Sequence, residues 1–278
     1  MKAEDFEYLS TLIKQRSGLV LTVDKSYLLE SRLMPLARKR GLKGLEELIQ
    51  TLRTHKEEAL IQDVTEAMTT NESFFFRDIK PFELFRGQVL GQLLKNRADR
   101  KAFRIWCAAA SSGQEPYSLA MTLMEEAQRL SGWRTEIVGT DISREILEKA
   151  KSGLYSQFEV QRGLPIQQLL KYFEKKDDMW QASSALRAMV KYQELNLLGD
   201  IQKLGKFDVV FCRNVLIYFD QETKAKVLEQ ISQMIPEDGI LFLGGAETVL
   251  GISDKFKPVP GLRGVYCLST SSITLDTN

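Results

Sequence analysis

The segment Phe207–Phe219, FDVVFCRNVLIYF, decides how this chain is read. An apolar, β-branched run through Val209-Val210-Phe211 stops at the polar pair Arg213-Asn214, and apolar residues then resume. A strand buried on both faces of a parallel sheet has this pattern. In open α/β sheets the ligand lies just beyond the carboxyl ends of the strands, where Arg213 and Asn214 fall. Taken alone, the pair reads as well as a turn that only satisfies backbone groups.

A second strand end lies upstream, in Phe103–Ala120, FRIWCAAASSGQEPYSLA. Phe103–Cys107 is short and β-prone, Ala108–Gly113 is a run of small residues, and Glu115–Leu130 has helical periodicity. Strand, small-residue turn and helix bring backbone close to a cofactor. The turn is not G-x-G-x-x-G and no lysine follows Gly113, so neither the dinucleotide fingerprint nor a phosphate loop is present. Glu115, set where a phosphate site wants positive or neutral groups, favours a ligand with hydroxyls or positive charge.

Further strands repeat the theme. Thr135–Asp141, TEIVGTD, ends in an acid placed to accept from ribose hydroxyls, or else to serve the N-terminus of a helix opening at Ser143. Val190–Leu195 predicts a fourth strand, followed by Asn196-Leu197-Leu198. Asn196 suits an adenine edge with Leu197 packed on its face, or is a loop asparagine. Gly239–Gly245 predicts a fifth buried strand, and Phe256–Pro260 with Val265–Ser269 a closing antiparallel hairpin. The polar tail Thr270–Asn278 is expected to fray. The expected fold is α/β, a doubly wound, mostly parallel Rossmann-like sheet.

Composition narrows the function. The 278 residues hold 38 Lys+Arg against 37 Asp+Glu, a formal charge of +1 that disfavours nucleic acid as a partner. The longest apolar runs fall short of a membrane span and MKAEDFEYLS lacks a signal-peptide core, so a cytoplasmic protein without direct membrane insertion is expected. Cys107, Cys212 and Cys267 stand singly in apolar runs and read as reduced core residues, with no metal site. The one histidine, His55, is far from every motif above and is expected to face solvent.

Residues 1 to about 85 read as a helical domain, with 86–278 as the sheet domain. Phe6, Leu9, Leu12 and Ile13 form one stripe; a second helix over Ser26–Arg40 is expected to kink near Pro35 and end at Gly41. Leu45–Leu52 and Glu58–Met68 predict two more helices. Arg32, Arg38, Lys39, Arg40 and Lys43 form a basic stretch without an acid, either a solvated helix end or a docking surface for an acidic helical partner. Phe74-Phe75-Phe76 read as core packing that fixes where the next residue, Arg77, points. Tyr155–Lys191 interrupts the strand–helix rhythm and is too long for a simple crossover.

Together these motifs resemble the CheR-type chemotaxis receptor methyltransferases. The resemblance is carried by TTNESFFFRD (Thr69–Asp78), WCAAASSGQEPYSLA (Trp106–Ala120), GTDIS (Gly139–Ser143), NLL (Asn196–Leu198) and FDVVFCRNVLIYFD (Phe207–Asp220), and with the helical start it spans nearly the whole chain. The three successive phenylalanines before Arg77 are a departure, and Ser73 stands where some relatives carry threonine.

The resemblance implies a class I methyltransferase fold with a small β-subdomain inserted at about 155–191. It implies methylation of glutamate side chains by S-adenosyl-L-methionine, leaving S-adenosyl-L-homocysteine. Cofactor contacts are implied for Asn71, Ser73, Arg77, Glu115, Asp141, Asn196, Leu197, Arg213 and Asn214, with Arg77 and Tyr218 beside the transferred methyl. Implied partners are the cytoplasmic methylation helices of methyl-accepting chemotaxis receptors; nothing in the sequence suggests an obligate dimer, and a monomer is expected. Some relatives grip a pentapeptide at the receptor's C-terminus through a longer, glycine-bearing loop. Phe173–Gln193 is compact and glycine-free, which points to methylation without that tether. Other readings are a methyltransferase with another acceptor, or a non-catalytic cofactor-binding docking module. Against the first, Asn214 is not followed by the Pro-Pro-Tyr of amino-group enzymes; against the second, Arg77 and Tyr218 are retained.

Overall fold

A computed structural model describes residues 2–275. Two compact units divide the chain: one runs to Thr70 and includes Tyr218–Thr223, and the other holds Asn71–Ile217 and continues from Lys224. Helices α1 (Ala3–Ser17), α2 (Ser26–Lys39), α3 (Leu45–His55) and α4 (Glu58–Ala67) build the first unit. Apolar residues at three- and four-residue spacing give each helix one oily face, and Leu9, Ile13, Leu29, Leu33, Leu48, Leu52, Leu60 and Val64 are buried together. The second helix runs through Pro35 to Lys39, with Gly41 just past its end at φ 74°. His55 is exposed at the last position of α3.

A boundary near residue 85 is not where the units divide. Phe75, Phe82, Leu84 and Phe85 all lie in the core of the sheet unit, so the chain from Asn71 onward packs there. Nor is this stretch helical throughout: α5 (Lys80–Leu84) begins only after a bent segment, and a π-helical turn over Phe85–Val89 joins it to α6 (Leu90–Asn96).

The sheet unit then runs β1 (Ala102–Ala108), α7 (Gln114–Glu125), β2 (Arg134–Asp141) and α8 (Arg144–Ser152). An insertion follows: β3 (Leu154–Ser156), α9 (Gln157–Gln161), α10 (Ile166–Tyr172), β4 (Phe173–Lys176), β5 (Met179–Ala182) and α11 (Ser184–Ala188). The main sheet resumes with β6 (Val190–Glu194), β7 (Val209–Cys212), α12 (Gln221–Ser232), β8 (Ile240–Leu243), β9 (Phe256–Pro258) and β10 (Val265–Leu268).

Strand order in the seven-stranded sheet is β6-β2-β1-β7-β8-β10-β9. The first five strands are parallel, and β10 is antiparallel to both neighbours. This is the doubly wound, mostly parallel sheet expected, with the three-stranded antiparallel insertion β3-β5-β4. Sequence order reverses between β1 and β7, which opens the crevice where such sheets bind ligands. Register sets the rim of that crevice. Ala108 is level with Thr140 and Cys212, and Cys212 with Leu243, so Ala109, Asp141, Arg213 and Gly244 follow at one height.

All three cysteines are buried and unbridged, as expected of core residues, and burial raises the Cys107 and Cys212 thiols well above their usual range. The expected fraying of the tail does not hold through Leu275. Ser271 and Leu275 are buried and Ile273 packs on the core; the part of that expectation covering 276–278 lies outside the described residues. No described helix is long and apolar enough to cross a membrane.

Candidate active site

The turn after β1 is built from unusual backbone. Ala109, Ser111 and Gly113 take φ of 55°, 51° and 92°. A side chain at Gly113 would meet the Tyr192 hydroxyl at 2.6 Å and that of Tyr155 at 3.2 Å, so the turn depends on glycine there. Those phenols support the turn from beneath. Tyr155 donates to the Ser112 carbonyl (2.6 Å), Tyr192 to that of Gly113 (3.4 Å), and Tyr117 to that of Ala150 (2.7 Å). Burial pushes Tyr117 up to about 12 and the other two well above the usual phenol range, so all three remain donors at neutral pH. Sequence reasoning did not find Tyr155 and Tyr192, because an isolated tyrosine in an insertion or an edge strand carries no motif.

Asp141 serves the helix start, one of the two roles considered for it, and also braces the turn after β1. It accepts from the Ser111 N–H (2.9 Å) in the turn and from the Ser143 N–H (3.0 Å) at the start of α8. A carboxylate has about four acceptor positions, so these bonds do not exclude ribose hydroxyls.

Arg213, at the end of β7, is the hub. Its side chain is 1% exposed, and it donates from Nη1 to Glu115 (2.7 Å) and from Nη2 to Asp78 (2.7 Å) and the Arg77 carbonyl (2.9 Å). The Phe82 ring lies 5.7 Å from its guanidinium carbon. Its Nε is buried with no hydrogen-bond partner. Burial raises the Glu115 carboxyl above its ordinary value, against the opposing pull of Arg213.

The segment Asn71–Asp78 closes over this hub. Ser111 Oγ donates to the Asn71 carbonyl (3.0 Å), and the Phe76 N–H donates to Ser118 Oγ (2.9 Å). Phe76, Asp78 and Ile79 have φ of 49°, 68° and 48°. Positive φ is uncommon for such residues, Ile79 above all, and clusters of it accompany functional sites. Phe75 is fully buried with its ring edge-on to Tyr155 and Phe173, as core packing predicts. Phe74 is a correction: it is half-buried, and its ring carries the guanidinium carbons of Arg77 at 5.3 Å and Arg162 at 4.3 Å. Three rings in a row cannot all enter one core, and the remaining one instead orients Arg77.

The principal residue that sequence reasoning missed is Glu247. One carboxylate gathers the N–H groups of Asn214 (2.8 Å), Val215 (2.9 Å), Ile217 (3.2 Å) and Gly244 (2.7 Å). It ties the ends of β7 and β8 together and holds Asn214 at φ 59°. An acid in Gly244-Gly245-Ala246-Glu247 has no periodic partner in sequence, and its ligands are backbone, so no side-chain pattern announces it.

The other expected site residues divide. Asn196 follows Leu195, whose N–H donates to the Asp141 carbonyl (2.9 Å), and its own Oδ1 accepts from the Leu198 N–H (3.0 Å) in a local turn. Leu197 is buried and Ser73 half-buried. Tyr218 ends the short turn Leu216–Tyr218 after β7, and its carbonyl accepts from Val20 (2.9 Å). Among the basic residues, Arg32 is spent inside its own unit, donating to the carbonyls of Met68 (2.6 Å) and Thr69 (2.9 Å) at the end of α4. Arg40 pairs with Asp63 (2.5 Å). Arg38, Lys39 and Lys43 remain exposed.

The carboxylates Glu115 and Asp141, both acceptors at the crevice, suit a ligand that carries hydroxyls or positive charge. No group of three or more His, Cys, Asp or Glu among the described residues could hold a metal. Five parallel strands closed by an antiparallel hairpin, with acids at the ends of successive strands, define an S-adenosylmethionine-dependent methyltransferase of class I. Two family models cover the chain: the CheR methyltransferase SAM-binding domain matches residues 71–265, and the CheR all-alpha domain matches residues 4–69. The chain belongs to the CheR methyltransferase family. It is 41% identical to chemotaxis protein methyltransferase 1 of Pseudomonas aeruginosa over 265 residues, covering 94% of this chain and 96% of that protein. It is 38% identical to the chemotaxis protein methyltransferase Cher2 of Pseudomonas putida over the same shares. The Escherichia coli chemotaxis protein methyltransferase is 36% identical over 95% of this chain and 90% of its own length.

Proposed function

We propose that this protein methylates glutamate side chains on the cytoplasmic helices of chemotaxis receptors, forming methyl esters. The observation that carries this reading is the hub at Arg213, which joins the cofactor-side acid Glu115 to the main chain of Arg77. A glutamate side chain, with a reference pKa of about 4.3, is already ionised at neutral pH. No general base is needed, which agrees with a chain whose one histidine stands exposed on α3. Bound at the rim, S-adenosylmethionine supplies a methyl group on a sulfonium leaving group. The carboxylate oxygen gains the bond to carbon as the carbon–sulfur bond breaks, and no proton moves.

The protein's part is alignment and exclusion of water. Arg77, steadied by Phe74, holds one oxygen of the incoming carboxylate, and the Tyr218 hydroxyl sets its angle. Asp141 takes the ribose and Asn196 the adenine edge, Leu197 packs on the adenine face, and Asn71, Ser73, Arg77, Glu115, Arg213 and Asn214 complete the cofactor site. Arg38, Lys39 and Lys43 offer positive charge to an acidic receptor helix. The protein acts as a cytoplasmic monomer and does without a receptor C-terminal tether. In support, Asp177-Asp178 alone join β4 to β5, leaving no long loop to grip a peptide.

Transfer of labelled methyl onto receptor cytoplasmic fragments tests the acceptor. Base-labile label on glutamate supports the proposal; label on any other group, or no transfer, sinks it. Arg77→Ala should abolish transfer with only modest loss of cofactor affinity. Calorimetry with the receptor pentapeptide tests the absence of tethering, and micromolar binding would refute it.

A further inference from the structure

We infer that Arg162, contributed by the inserted subdomain, is a positioning residue for Arg77. The inference rests on the proposal that Arg77 orients the acceptor carboxylate. Arg162 lies between α9 and α10, far in sequence from Arg77, yet two residues serve both arginines. Glu72 accepts from Arg162 Nη2 through its carboxylate (2.6 Å) and from Arg77 Nη1 through its carbonyl (3.0 Å). Phe74 faces both guanidinium groups with one ring. Glu72 and Phe74 thereby let two like charges share a small space, the acid by neutralising and the ring through its negative face. Arg162 also lowers the Glu72 carboxyl, keeping it ionised.

Gly163 explains how Arg162 comes so close. It has φ +85°, and a side chain there would fall 2.1 Å from the Phe75 carbonyl oxygen. Only glycine lets this loop lie against the segment that carries Arg77. On the other side of that segment, Phe75 is packed edge-on to Tyr155 of β3 and Phe173 of β4. The insertion thus grips the arm that bears Arg77 at Glu72, Phe74 and Phe75.

A structural contribution and a positioning one leave different traces. The Arg162–Glu72 pair is half-exposed on both sides, 42% and 53%, and such pairs add little to stability. Its loss should therefore register in turnover. In the full chain, Arg162→Ala should lower kcat on a receptor fragment on the order of 10-fold through misplacement of Arg77. Melting temperature and S-adenosylhomocysteine affinity should stay at wild-type values. Arg162→Lys, which keeps a cation for Phe74 and Glu72, should recover most of the rate. Wild-type kcat in Arg162→Ala overturns the inference. So does a kcat loss accompanied by a fall in melting temperature or product affinity, or an Arg162→Lys rate no better than the alanine variant. Arg77→Ala, measured alongside, separates the two levels: if it keeps full turnover, the role of Arg77 itself is wrong, whatever Arg162 does.

Discussion

Arg213 and Glu115 form a buried ion pair at 2.7 Å, the arginine side chain 1% exposed and the glutamate 13%. The pair links the end of β7 to the first turn of α7, on either side of the ligand crevice. Removing one member of a buried pair leaves the other charge stranded, at a cost of about 3–5 kcal/mol.

Arg213→Met should therefore lower the urea midpoint strongly and abolish S-adenosylhomocysteine binding measured by calorimetry. Arg213→Lys should rescue neither, because an ammonium cannot reach Glu115, Asp78 and the Arg77 carbonyl together. A lysine variant with wild-type affinity would refute the hub.

Glu247→Gln replaces an oxygen acceptor with an amide that points a donor at backbone donors. With backbone N–H groups left unsatisfied, stability should fall by about 1–3 kcal/mol. Because the same N–H groups hold Asn214, cofactor affinity should fall too. Denaturation and calorimetry on one preparation check both, and a silent variant would remove Glu247 from the site.

The raised Glu115 carboxyl gives a pH signature. As pH falls, Glu115 protonates before an ordinary carboxylate does, and the charged acceptor is present only above its raised pKa. Affinity for S-adenosylmethionine should thus weaken on acidification above the usual carboxylate range, and Glu115→Gln should flatten that dependence. For stability the sign is opposite: Glu115's contribution is full below the unfolded pKa and lost as pH rises through the folded value. Calorimetry and denaturation across the acid range read the two trends separately.

Asp141→Ala loosens the turn at Ser111 and the start of α8 together. Cofactor Kd should rise about 10- to 100-fold, or ~1.4–2.8 kcal/mol. At saturating cofactor, kcat should stay near wild type; a kcat loss without a Kd change would contradict the assignment.

Strand ends were legible because burial on both faces forces continuous apolar runs, and a polar break in such a run marks the rim. Arg213, Asn214 and Asp141 were found in that way. Residues that act on backbone were not: Glu247, Tyr155 and Tyr192 serve main-chain partners, which leave no complementary side chain in the sequence. Phe74 is not told apart from Phe75 in the sequence, because composition counts apolar rings without saying which of three has room inside. Arg32 and Arg40 looked like surface charge because their partners, the end of α4 and Asp63, come together only on folding. The division at Thr70/Asn71 is hidden for the same reason, since Phe75 and Phe82 reveal their side only in the packed core.

The position of β10 bears on how the chain is made. Among the described strands, β10 follows β9 in sequence yet sits inside the sheet, between β8 and β9. On the ribosome, β8 keeps an open, hydrogen-bonding flank and β9 has no place to dock until Val265–Leu268 has emerged. A nascent or prematurely stopped chain thus exposes an apolar edge of the kind that recruits other strands.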